Sequence, residues 1–183
     1  DPFSAIKKKQ NELALDFYPE MKAMVRDSDD PLLLAVKLAI AGNIIDMAIQ
    51  REIIDIREEV LSIVSSPLVV NDYAVLRKSL TDAKQLLYLG DNAGEIVFDR
   101  ILIEELTTMD TPRIVFAVRD EPIINDATSD DARAVGLNRH AEIMSSGSGA
   151  PATVLSECSS EFVHLFRKAD MIIAKGQGNY ESL

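Results

Sequence analysis

The sequence has one cysteine, Cys158, and no tryptophan. A single thiol excludes an internal disulfide framework and a cysteine-rich zinc site. Histidine is almost as scarce: His140 and His164 are the only two, and neither stands at metal-ligand spacing from other donors. A serine or cysteine nucleophile with a histidine base therefore has little support. Basic residues are outnumbered, 19 Lys plus Arg against 30 Asp plus Glu, for a formal net charge of −11. That balance argues against broad binding to nucleic acid or to an anionic membrane. It leaves room for a local basic pocket for a small anion, and its surplus carboxylates could hold a cation. The first ten residues, DPFSAIKKKQ, lack the apolar core of a signal peptide, which together with the lone thiol points to the cytoplasm. Glycine motifs are missing too: neither G-x-G-x-x-G nor G-x-x-x-x-G-K-[ST] occurs, which weakens a nucleotide-binding reading.

What is present is ordinary globular material: 183 residues, 47% hydrophobic and 27% charged, enough for one domain or a small one on a larger one. The most apolar stretch is Leu32 to Ile49. Its length approaches a membrane span, but Lys37 and Asp46 inside it are each expensive at mid-bilayer, so it reads as a buried helix of a helical layer. At about 100° per residue Asp46 lies opposite Lys37, which puts Lys37 toward solvent. Asn43 shares a face with Asp46; the pair either bridges neighbouring helices or opens onto a site.

Two periodicities divide the chain. Residues 4–82 read as helices, with Pro19 a kink or break. Asp27 to Asp30 followed by Pro31 signals a helix start. From residue 85 short apolar runs alternate with amphipathic helices. Strands are predicted at 85–90, 113–118, 141–146 and 171–176, with helices at 95–108, near 127–135 and after the glycine-rich loop that follows residue 146. Repeated strand–helix units predict a parallel sheet covered on both faces. The expected organisation is an α/β protein, with a helical domain at 1–83 and an α/β domain at 84–183.

In such a sheet, ligands bind beyond the carboxyl ends of the strands. Those ends carry Asp91-Asn92-Ala93-Gly94-Glu95, Arg119 with Asn125-Asp126, Ser145 to Gly149, and Lys175-Gly176-Gln177-Gly178-Asn179. Taken singly, Asp91, Asn92 and Asp126 are good helix caps, and Lys175 a solvated loop lysine. Together they place three oxygen-bearing side chains above adjacent strands, suited to a hard divalent cation. Arg119, Lys175 and the amides that open the 95–108 helix would face the same crevice and favour an anion. Cation, positive side chains and helix terminus are what phosphoryl transfer to water requires.

The motifs DPLLLAVKLAIAGNIID, GDNAGEIVFD, VRDEPIINDATSDDA and IIAKGQGNYESL, spread over nearly the whole chain, resemble the damage-control phosphatases, the domain of unknown function 89 (DUF89) family, in its small archaeal and bacterial branch. The resemblance implies a Rossmann-like three-layer α/β/α domain with an N-terminal helical domain. It also implies divalent-metal-dependent hydrolysis of small phosphorylated metabolites, sugar phosphates and damaged by-products among them. Carried over residue by residue, it implies metal ligands at Asp91, Asn92 and Asp126 and a phosphate ligand at Lys175. Asn43 and Asp46 fall on a helix motif facing the site, and Arg119 and Asn179 on further motif positions. Glu95, at the mouth of the first loop, is a candidate for a substrate hydroxyl. The O/N donor set accepts Mg²⁺, Mn²⁺, Co²⁺ or Ni²⁺ alike.

The chain departs from the family pattern at Pro151-Ala152-Thr153, where a G-T pair often stands, and family members are longer. The α/β domain is accordingly expected to lack a C-terminal strand and helix. Two rival readings are an S-adenosylmethionine-dependent methyltransferase and a non-catalytic module that binds phosphometabolites. The family's partner is a small metabolite, with no nucleic acid or membrane and no expectation for the oligomeric state.

Overall fold

A computed structural model describes residues 1–45, 53–109 and 113–183. Four helices come first: α1 (Ser4–Arg26), α2 (Pro31–Ala41), α3 (Ile53–Ser65) and α4 (Tyr73–Asp82). They are followed by β1 (Gln85–Leu89), α5 (Glu95–Leu106), β2 (Arg113–Val118), α6 (Ser129–Ala134), β3 (Glu142–Ser145), α7 (Ser160–Lys168), β4 (Met171–Ala174) and α8 (Gln177–Ser182). Among the described residues the first strand begins at residue 85, as the change of periodicity predicts.

The strands form one parallel sheet in the order β3-β2-β1-β4. Side chains alternate across it. Leu86, Tyr88, Ile114, Phe116 and Val118 enter the larger core, while Leu87, Leu89, Val115 and Ala117 enter a smaller core with Phe162 of α7. Both faces are therefore covered, which is why these strands read as unbroken apolar runs. On the larger face Tyr88 and Phe116 stack with ring centroids 5.2 Å apart.

Helix α5 is buried almost all round, because the sheet lies on one side of it and α1 and α2 on the other. One continuous core thus joins residues of α1, α2, α3 and α4 to the sheet. Polar contacts reinforce this. Glu104 of α5 accepts from Tyr18 Oη at 2.7 and 2.8 Å, from Lys22 Nζ at 2.7 Å and from Arg100 Nε at 2.6 Å. His140 Nε2 lies 3.2 Å from the same carboxylate, a structural position for that imidazole.

Three local features differ from the sequence reading. Helix α1 runs through Pro19 without ending, because Ala14, Phe17, Met21 and Val25 keep one stripe buried on both sides of it. Lys37 does not simply reach solvent: its ammonium donates to Val64 O and Ser66 O, both at 2.8 Å, and so satisfies carbonyls at the end of α3. Helix α2 stops at Ala41 and passes into a tighter turn over 42–45. At its start Asp30 Oδ1 caps Leu33 N at 3.1 Å with Pro31 behind it, as expected. No described helix is long and apolar enough to cross a membrane.

Candidate active site at the ends of β1, β2 and β4

From β1 the chain steps outward to β2 and β3, then returns across the sheet to place β4 on the other side of β1. Such a reversal opens a crevice at the carboxyl ends of the strands on either side of it, β1 and β4. Asp91 and Asn92 leave β1 there, and Lys175 leaves β4.

The segment after β2 folds back onto the one after β1. Asn92 and Asp126 form an antiparallel bridge, with Ala93 N donating to Asn125 O at 2.9 Å and Ala127 N to Asp91 O at 2.7 Å. Backbone pairing thus brings Asp91, Asn92 and Asp126 together although they lie on separate loops. Asn92 Nδ2 donates to Asp91 Oδ2 at 3.0 Å. Arg119 Nε donates to Asp126 Oδ2 at 2.7 Å, and its Nη2 lies 3.9 Å from Asp91 Oδ1. The loop carries one strained residue: Ile124 has φ +45°, which a β-branched side chain rarely adopts.

The capping alternatives do not hold. The N-cap of α5 is Gly94, with no side-chain cap, so neither Asp91 nor Asn92 serves there. Before α6, Asp131 accepts from Thr128 N at 2.9 Å and Thr128 Oγ1 at 2.8 Å, which leaves Asp126 out of the cap. The start of α5 is also less open to an anion than expected. Gly94 N is taken by Asn11 Oδ1 of α1 at 2.6 Å, and Ala93 N by Asn125 O.

Lys175 is held by three acceptors. Its ammonium donates to Ala39 O of α2 at 2.8 Å, to Asp99 Oδ1 at 3.0 Å and to Glu95 Oε1. A lysine has three N–H donors, so all are in use. Tyr88 Oη donates to Asp99 Oδ1 at 2.6 Å. Glu95 Oε2 and Asp99 Oδ2 are buried and have no hydrogen-bond partner among the described residues. Burial, opposed by the Lys175 charge and reinforced by that of Asp99, pushes Glu95 up to about 7. Burial also raises Asp99, against the pull of Lys175 and Tyr88. Burial disfavours the Lys175 charge, but Asp99 and Glu95 outweigh it and hold the ammonium above its ordinary value.

The remaining expected residues distribute as follows. Asn179 of α8 is fully buried and accepts from Arg119 and Thr153. Asn43 is exposed in the turn after α2. The preceding Gly42 lies against Glu95, so closely that an added Cβ would meet Glu95 Cγ at 3.1 Å and Phe98 Cβ at 3.0 Å. The end of α2 therefore sits over the start of α5, and Asn43 leaves from that point. Asp46 lies outside the described residues. Sequence reasoning missed Asp99, Tyr88, Asn11 and Thr153. Asp99 carried a signal, four residues after Glu95 on one helix face; Asn11 and Thr153 carried none, because they arrive from distant segments.

As a donor set, Asp91, Asn92 and Asp126 offer only oxygen on buried or nearly buried side chains, which suits a hard divalent cation. Among the described residues no group of three or more His, Cys, Asp or Glu side chains could hold a metal ion. A cation here would need the Asn92 amide oxygen, since the Asn92 nitrogen donates to Asp91.

A family model described as the damage-control phosphatase ARMT1-like domain matches residues 1–183. Over its whole length the chain is 38% identical to damage-control phosphatase PH1575 of Pyrococcus horikoshii, spanning 63% of that protein. It is 36% identical to a damage-control phosphatase of Archaeoglobus fulgidus, spanning 64%, and 39% identical to an uncharacterized protein of Methanocaldococcus jannaschii, spanning 61%. The crystal structure of a DUF89 family protein from P. horikoshii matches with a TM-score of 0.89 at 38% identity, over 100% of this chain and 63% of that one. The chain thus spans a little under two thirds of these relatives' length.

Proposed function

Because the chain belongs to the damage-control phosphatase ARMT1-like domain family, we propose that it forms the catalytic part of a divalent-metal-dependent phosphatase acting on phosphomonoesters of small metabolites, sugar phosphates or damaged phosphometabolites. The observation that carries this reading is the Asn92–Asp126 bridge, which gathers Asp91, Asn92 and Asp126 at the crevice between β1 and β4. In the proposal these three residues hold the cation, Mg²⁺, Mn²⁺, Co²⁺ or Ni²⁺. When bound, such a cation supplies a Lewis acid for the phosphoryl group and lowers the pKa of water.

The chain's own residues do the rest. Arg119 and Lys175 supply positive charge beside the phosphoryl oxygens. Lys175 reaches a phosphate only by exchanging one of its present acceptors, and Glu95 is the nearest candidate to yield. Asn43 and Asp46, with Glu95, shape the metabolite side of the crevice, while the fully buried Asn179 stands behind Arg119. The layout supporting this is Rossmann-like, with the helical segment 1–83 proposed as a domain over the site and 84–183 as the α/β domain.

The test is a panel of phosphorylated metabolites and a generic phosphate ester against several divalent metals, with Asp91→Ala and Asp126→Ala alongside. Metal-dependent hydrolysis lost in both variants is expected; hydrolysis retained in both overturns the assignment.

A further inference from the structure

Thr153 stands in the loop after β3, and no role follows from its sequence. In the structure it is 2% exposed and lies among Asn179 at 0% and Arg119 at 3%. Its hydroxyl donates to Asn179 Oδ1 at 2.7 Å and receives Arg119 Nη1 at 3.4 Å.

The orientation of the amide is fixed by its surroundings. Asn179 Nδ2 donates to Lys175 O at 2.8 Å and faces Gly90 O at 3.5 Å, two backbone acceptors at the ends of β4 and β1. Its oxygen is therefore left for Thr153 and for Arg119, whose Nη1 and Nη2 lie 3.5 and 3.4 Å away. Arg119, steadied at its fork, places Nε on Asp126 Oδ2. The bonds run without a break from the strand ends, through Asn179 and Thr153, to Arg119 and Asp126.

We infer that Thr153 and Asn179 are positioning residues that aim Arg119, so that Arg119 holds one oxygen of Asp126 and leaves Oδ1 to ligate a cation. The inference rests on the proposed cation role of Asp126. It gives Arg119 a structural duty as well as a charge, since its donors are engaged within the protein. It also explains why a residue with a hydroxyl sits at 153: a side chain without one leaves the Asn179 oxygen with only the two long arginine contacts, and the fork loses its brace.

The test measures Mn²⁺ binding to the full chain by calorimetry, for wild type, Thr153→Val, Thr153→Ala and Thr153→Ser, with thermal unfolding in chelator as a check on folding. Partners behind metal ligands are worth roughly 10- to 100-fold in metal affinity. Thr153→Val and Thr153→Ala are therefore expected to weaken binding by about tenfold at the low end of that range, and Thr153→Ser to restore it. The alanine variant stands in if the valine methyl prevents folding. Tight Mn²⁺ binding by wild type with unchanged affinity in a folded Val or Ala variant overturns this inference alone. Absence of binding by wild type with Mn²⁺, Mg²⁺, Co²⁺ and Ni²⁺ alike overturns the cation reading and the inference with it.

Discussion

The carboxylate of Asp91 rests on the backbone of Gly176: a Cβ added to Gly176 would stand 2.1 Å from Asp91 Oδ2 and 2.2 Å from its Cγ. The end of β4 is thus the seat on which a proposed cation ligand from the end of β1 is set. Gly176 also has φ +86° with ψ 153°, a conformation that is essentially open to glycine alone.

Gly176→Ala is therefore expected to act twice. Backbone strain of about 1–3 kcal/mol should lower stability, and displacement of Asp91 should abolish metal-dependent hydrolysis. Urea unfolding and the generic phosphate-ester assay read the two effects separately.

The buried acid pair makes stability depend on pH. Glu95 ordinarily titrates near 4.5 and is pushed up to about 7, first by burial, against Lys175 and with Asp99. The native state then binds more protons than the unfolded state between those values, so stability falls as pH rises through this window and levels off above it. The expected loss is on the order of 1–3 kcal/mol. Glu95→Gln should flatten the dependence, as read by urea midpoints at pH 5 and pH 8.

Lys175 neutralises two buried carboxylates at once. Lys175→Met should cost about 3–5 kcal/mol at neutral pH, because it leaves charge buried without a partner. Adding Glu95→Gln to that variant should recover part of the loss. A double mutant no more stable than the single would show that the pair is not coupled.

Ile124 holds a left-handed conformation beside Asn125 and Asp126 while its side chain is 51% exposed. The left-handed region costs an ordinary residue about 1–2 kcal/mol, and asparagine tolerates it better. Ile124→Asn is expected to raise the urea midpoint, since little buried surface is lost.

Much of this protein was legible in the sequence because its signals are local. The apolar runs at 85–90 and 113–118 announced strands buried on both faces, and Asp30-Pro31 announced a helix start. The loops after β1, β2 and β4 carried the site's residue types in recognisable motifs. A break at Pro19 does not occur, because the force that carries α1 past it is tertiary packing, which no local rule contains. The bonds of Lys37, which is half-buried, were not legible for a similar reason: its acceptors lie at the end of another helix.

By itself the sequence determined the element order, the parallel α/β class and the family, since periodicity and motif spacing are properties of neighbouring residues. Only the tertiary structure decided what each polar group touches. It brought Asn11 onto Gly94, Thr153 onto Asn179, and Ala39 O onto Lys175, contacts that span 83, 26 and 136 residues. Hydrogen bonds and ion pairs of that reach depend on how the layers stack, and in a dry interior most such groups take their partners from whatever the fold brings near.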